Sequence, residues 1–79
     1  MVYHVTCPFS GQKFYYKYMV DMRRFVYAMM STRECNKRIR IYDGREIIGS
    51  MWKEGRYIRY QGKGTRKHNT VNEDGSLRK

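Results

Sequence analysis

The sequence predicts an α+β fold: an antiparallel sheet with elements in the order ββαβββ, one helix packed on one sheet face, and a disordered basic C-terminal tail. Three observations predict it. Apolar residues make up 41% of the 79, but much of that supply is Tyr and Met and only one residue is Leu, a usage that favours strands and amphipathic faces over a helical bundle. Between Met19 and Thr32 the apolar positions recur every three or four residues, the helical period. From Arg38 onward the period becomes two, and Asp43-Gly44 supplies a strong hairpin signal. Residues 1–60 then form one compact domain and residues 61–79 the tail. A chain this short exposes a large share of its surface even when folded, so a deep pocket would compete with the core for the same side chains.

Val2 to Thr6 reads as the first strand, because Val, Tyr and Thr suit an extended backbone. Cys7-Pro8-Phe9-Ser10-Gly11 supplies Pro and Gly for a turn. Gln12 to Lys17 carries three consecutive aromatics and is read as the returning strand, the alternative being that the helix starts there. In the helix, Met22, Phe25, Val26, Met29 and Met30 make one apolar stripe, while Lys17, Asp21, Arg24 and Ser31 fall away from it. The methionines of that stripe are read as adaptable core filler. Arg38 to Tyr42 alternates cleanly, Arg45 to Lys53 answers as its partner strand, Glu54-Gly55 marks another tight turn, and Arg56 to Tyr60 forms the last strand.

Register adds one inference. A two-residue Asp43-Gly44 turn pairs Ile41 with Glu46 and Ile39 with Ile48. Strict alternation then sends Ser50 and Trp52 inward and Met51 outward, whereas the last strand wants Ile58 and Tyr60 inside. An extra residue flips every side chain beyond it, so a β-bulge at Gly49-Ser50 is expected. From Gln61 onward only Val71 and Leu77 are apolar in nineteen residues, too few to offset the entropy of ordering the segment by itself.

No segment approaches the ~20 apolar residues of a membrane span, and Met1 to Ser10 lacks the basic-then-apolar order of a secretory signal, so a cytoplasmic location is expected. In a reducing compartment, Cys7 and Cys35 are read as two thiols; they lack the paired spacing of a zinc site.

Function is bounded by charge. Seventeen Lys and Arg against seven Asp and Glu give a formal net charge of +10, more than solubility requires and self-repulsive, which points to a negatively charged partner. Alternation puts Arg38, Arg40, Tyr42 and Arg45 opposite Ile39 and Ile41, and the bulge extends that face to Tyr57 and Arg59. Guanidinium groups grip phosphates and stack on bases, and Tyr offers a flat π-surface, so the mixture suits nucleic acid. An uncovered antiparallel face is polar in any case, so alternation alone does not separate a binding face from a solvated one. Lys63, Arg66 and Lys67 form a second basic cluster in the tail, either an arm that adds phosphate affinity or a solubilising end.

A catalytic set does not assemble. His4 and His68 lack Cys, Ser or acidic partners at a useful spacing, and the acidic residues are scattered. Gly62-Lys63-Gly64-Thr65 is too short for a phosphate loop, and no helix follows it. The expectation is a non-enzymatic module with no cofactor, no metal, no membrane and no small-molecule substrate, its partner being nucleic acid or an acidic protein surface; monomer and homodimer both stay open. Trp52 is either an exposed hot spot for a protein interface or a packing residue.

The four-stranded RNA-recognition domain also presents aromatics and cations on a sheet, but its Gly-Phe-Gly-Phe-type string is absent here, as is a second helix. In size, charge and Tyr/Met-rich style the chain resembles accessory proteins encoded by bacteriophages. That resemblance implies the rival reading, an inhibitor or accessory protein whose basic face docks on an acidic surface of a host complex.

Overall fold

A computed structural model describes residues 2–32 and 37–78, and it is an α+β fold with one helix on a seven-stranded antiparallel sheet. The elements are β1 (Tyr3–Thr6), β2 (Lys13–Tyr16), α1 (Met19–Thr32), β3 (Ile39–Asp43), β4 (Glu46–Glu54), β5 (Tyr57–Gly62), β6 (Asn69–Val71) and β7 (Leu77–Arg78). Their order across the sheet is β2-β1-β3-β4-β5-β6-β7. Gln12 to Lys17 thus contributes a strand, not the first helical turn.

The chain leaves edge strand β2, crosses over β1 as α1, and returns as β3 on the far side of β1. That crossover lays the helical stripe on the sheet. Met22, Val26 and Met30 are fully buried against Val5, Ile39, Ile41, Met51, Ile58 and Val71, with Phe25 and Met29 half-buried beside them. Lys53 Nζ donates to the Met30 carbonyl at 3.4 Å, placing a cation at the negative end of the helix.

The β3–β4 hairpin differs from its expected register. Its two-residue loop is Gly44-Arg45, because Asp43 pairs with Glu46. Gly44 takes a φ of 63° at the first loop position while Arg45 stays negative, the combination a type II′ turn asks for. Gly55-Arg56 repeats it between β4 and β5, with Gly55 at 59°. The bulge exists but sits one residue before Gly49: Tyr42 pairs with Ile47 and Ile41 with Gly49, leaving Ile48 as the extra residue. Its consequence is the expected flip, with Met51 fully buried and Trp52 turned to the other face.

The strand order extends beyond ββαβββ. Residues 69–78, expected to belong to a tail, form β6 on β5 and β7 on β6. The expectation asked whether two apolar residues can support a core of their own. They need not, since Val71 and Leu77 join the existing core while the open edge of β5 supplies backbone partners. The β6–β7 connection folds onto the helix: Arg23 Nε donates to the Gly75 carbonyl at 2.7 Å, and the Arg23 guanidinium lies over the Tyr60 ring at 5.5 Å. Within that connection Ser76 donates to Asp74 from both hydroxyl and backbone, which holds the Asp74 carboxyl below its ordinary range.

No helix among the described residues is long and apolar enough to cross a membrane. Cys7 is half-buried in the β1–β2 connection, and Cys35 lies outside the described residues.

Candidate functional site

Register fixes which side chains share the sheet face away from α1. Directly paired residues point the same way. One row across the sheet is therefore Tyr15, His4, Tyr42 and Ile47, through the pairs His4 with Tyr15, His4 with Tyr42, and Tyr42 with Ile47. The next row holds Arg40, Ser50 and Gln61. A third runs Trp52, Arg59, Thr70, Arg78. Arg38, one residue before β3, joins this third row by placing its guanidinium 4.1 Å from the centre of the Trp52 ring. Glu54 and Tyr57 pair beyond it.

Five of the residues picked from the sequence thus share the open face: Arg38, Arg40, Tyr42, Tyr57 and Arg59. The other four lie outside its strand rows. Arg45 is the second residue of the β3–β4 turn, because the loop begins at Gly44 and not at Asp43. Lys63 lies at the end of β5, where its backbone N–H donates to the Ile48 carbonyl at 2.9 Å and its ammonium pairs with Glu46. Arg66 and Lys67 are exposed in the 65–68 connection, whose Thr65 hydroxyl accepts from the Lys67 backbone N–H.

The arginines of the face are not equivalent. Arg59 is committed to the fold: its Nη1 donates to the Thr70 hydroxyl at 2.7 Å, and its buried Nε lies 3.2 Å from Glu54 Oε2 without the angle of a hydrogen bond. Arg38 is held by Trp52 and by a long 3.5 Å contact from Nη1 to the Ser50 hydroxyl. Among the described residues neither Arg38 nor Arg40 forms an ion pair. Two shallow recesses flank them. One, about 240 Å³, is lined by Arg38, Arg40, Ser50, Gln61, Gly62 and Lys63. The other, about 180 Å³, lies toward β1 and is lined by Thr6, Pro8, Lys37, Arg38, Arg40 and Tyr42.

Aromatic surface on this face exceeds what the sequence reading assigned to it. His4 stacks on Tyr42 with centroids 5.1 Å apart and planes 10° from parallel, and Tyr15 adds to the column at 5.5 Å. Trp52 takes Arg38 over its ring and packs T-shaped with the His68 ring, their centroids 4.9 Å apart. Trp52 was legible once the bulge was inferred, since the flip that buries Met51 exposes its neighbour. His4 and Tyr15 were legible from alternation with Val5 and Phe14. His68 had no signal, because its place depends on how residues 65–68 cross the sheet.

The helix side uses its cations differently. Arg24 pairs with Asp21 at 2.6 Å, Arg23 is turned inward, and Lys53 caps a carbonyl. Guanidinium groups without an ion pair among the described residues, shallow recesses and flat rings therefore gather on the open face, an arrangement able to hold phosphate oxygens and rings together. Among the described residues no three His, Cys, Asp or Glu side chains gather as metal ligands do. Searches against protein-family models, curated proteins and solved structures found no match.

Proposed function

We propose that this protein is a non-enzymatic nucleic-acid-binding module whose open sheet face is the binding surface. The observation that carries the reading is the presence on one face of Tyr42, Trp52 and His4 with two arginines, Arg38 and Arg40, that have no carboxylate partner among the described residues. Arg38 and Arg40 serve phosphates, and the rings serve bases. Arg59 positions Trp52's neighbours more than it binds, and Lys63, Arg66 and Lys67 add charge at the margin. The test is the salt dependence of affinity for an oligonucleotide. Contact with four to six phosphates gives a slope of log affinity against log salt between about −3 for a single strand and about −5 for a duplex. Affinity independent of salt, or absent at low salt, removes the reading.

A second reading, an accessory protein docking on an acidic protein surface, draws on Ile47 and Tyr57, 45% and 50% exposed on or beside the same face. Capture from a bacterial lysate separates the two: nuclease treatment releases the bound material in the first case and leaves it in the second.

A further inference from the structure

Resting on the nucleic-acid reading, we infer that the face takes single strands in preference to duplex. Duplex is read in sequence by an element that enters a groove, and the major groove is about 12 Å wide. Neither kind of element is present in usable form among the described residues. The exposed side of α1 offers Val20, Ala28, Ser31 and an Arg24 already paired with Asp21, so the helix brings no unpaired cation to a groove. A two-stranded ribbon also enters a groove, but the β3–β4 hairpin is flanked by β1 and β5 and does not project. Seven strands at ~4.8 Å make a surface roughly 29 Å across, in keeping with principal extents of 30 × 29 × 20 Å.

What this face does offer is of use only to bases that have left a stack. Trp52 and its Arg38 lid, the Tyr42–His4–Tyr15 column and the recess between Arg40 and Lys63 all present flat or concave partners to a ring, while the paired bases of a duplex turn only their edges outward. The third row, from Arg38 through Trp52 and Arg59 to Arg78, crosses four inter-strand spacings, roughly 19 Å, with Arg at intervals along it. That span matches on the order of four extended nucleotides, the low end of known single-strand site sizes.

The experiment uses the full chain with three labelled probes at one salt concentration: a twelve-residue oligothymidylate, a twelve-residue oligouridylate, and the thymidylate annealed to its complement. Trp52 is the only tryptophan, so its emission reports on the row itself. The expected result is that at least one of the two single strands binds about tenfold or more tightly than the duplex and quenches Trp52. Trp52→Ala then loses roughly tenfold on that strand, since base–aromatic stacking is of that order, with little change on duplex. Circular dichroism checks that the variant folds, and quenching in the parent protein is a second measure that needs no variant. Duplex binding equal to or tighter than both single strands overturns this inference alone, as does single-strand binding that leaves Trp52 emission unchanged. Binding to none of the three overturns the broader reading and this one with it.

Discussion

Gly75 is where the β6–β7 hairpin meets the helix, and replacing it with Ala tests whether the last ten described residues belong to the fold. Gly75 has a φ of 91°, and a Cβ there would lie 2.2 Å from the Val20 carbonyl oxygen and 2.8 Å from the Arg24 backbone nitrogen. Both atoms are helix backbone and cannot retreat as a flexible side chain would. The positive φ alone costs a non-glycine residue about 1–2 kcal/mol. Relieving the overlap lifts the hairpin off α1, which breaks the 2.7 Å bond from Arg23 Nε to the Gly75 carbonyl, a charged-donor bond worth about 1.5–3 kcal/mol. A loss of about 3 kcal/mol follows, and for a domain of this size it lowers the midpoint of thermal unfolding by on the order of 10–20 °C. Circular dichroism measures the midpoint, and amide exchange locates the change: Val71 and Leu77 lose protection while Ile41 and Met51 keep theirs. Gly64→Ala is the control, because Gly64 shares a positive φ of 78° but has nothing within 4 Å of the added methyl, so it carries the conformational cost without the collision. A Gly75→Ala protein that melts within about 2 °C of its parent and keeps Val71 protected refutes the docking of this hairpin on the helix.

Three further outcomes are expected. Arg40→Ala leaves thermal stability within about 0.5 kcal/mol while the salt slope for oligonucleotide binding shrinks by about 0.7–0.9, whereas Arg59→Ala lowers stability by about 1–2 kcal/mol through the lost Thr70 bond; titrations paired with thermal melts read both. Glu54→Gln removes the carboxylate beside Arg59 and steepens the same slope by a similar increment, read by fluorescence anisotropy across a salt series. Burial raises the pKa of the Tyr60 hydroxyl, an effect opposed by Arg23 and added to by Tyr3. With the folded-state value above the unfolded value of about 10.0, its contribution to stability is complete below pH 10 and is lost between pH 10 and the folded value, so in denaturant titrations the stability gap between the parent and Tyr60→Phe stays constant below pH 10 and changes as pH rises through that window.

Much of this fold could be read from periodicity, and the places where the reading slipped share one cause. The helical stripe and the alternation of β3 are local patterns, and Met22, Val26, Ile39 and Ile41 are buried as those patterns require. The bulge was legible because β4 and β5 made incompatible demands on Met51 and Tyr60. Its position was not, since the choice between Gly44-Arg45 and Asp43-Gly44 as the loop shifts the register by two residues and rests on backbone angles. Gly49 shows the tertiary part: a Cβ there would stand 3.0 Å from the Tyr60 ring, so the glycine is needed for a cross-strand neighbour and not for a bend. The β6 and β7 strands escaped for the same reason, because composition measures what a segment can bury alone and says nothing of an edge waiting to receive it. On the face itself, Arg38, Arg40 and Tyr42 followed from alternation, while Arg59's commitment to Glu54 and Thr70 depends on neighbours that only the folded chain brings near.

On the proposed reading, the two sides of the sheet use their charge differently. A domain needing only to repel its own copies gains equally from cations anywhere on its surface, and pairing them locally costs it nothing. Here the helix side does that, spending Arg23 on the Gly75 carbonyl, Arg24 on Asp21 and Lys53 on the end of α1. The open face keeps Arg38 and Arg40 two residues apart at the start of β3, beside the same recess, and among the described residues neither is paired with a carboxylate. Like charges held close oppose folding, and the Trp52 ring and Ser50 hydroxyl that hold Arg38 leave its charge in place. Sequences tend to break such local rules where a ligand later satisfies them. On the proposed reading, an anion laid between these two arginines, with its rings against Trp52 and Tyr42, converts the repulsion into attraction.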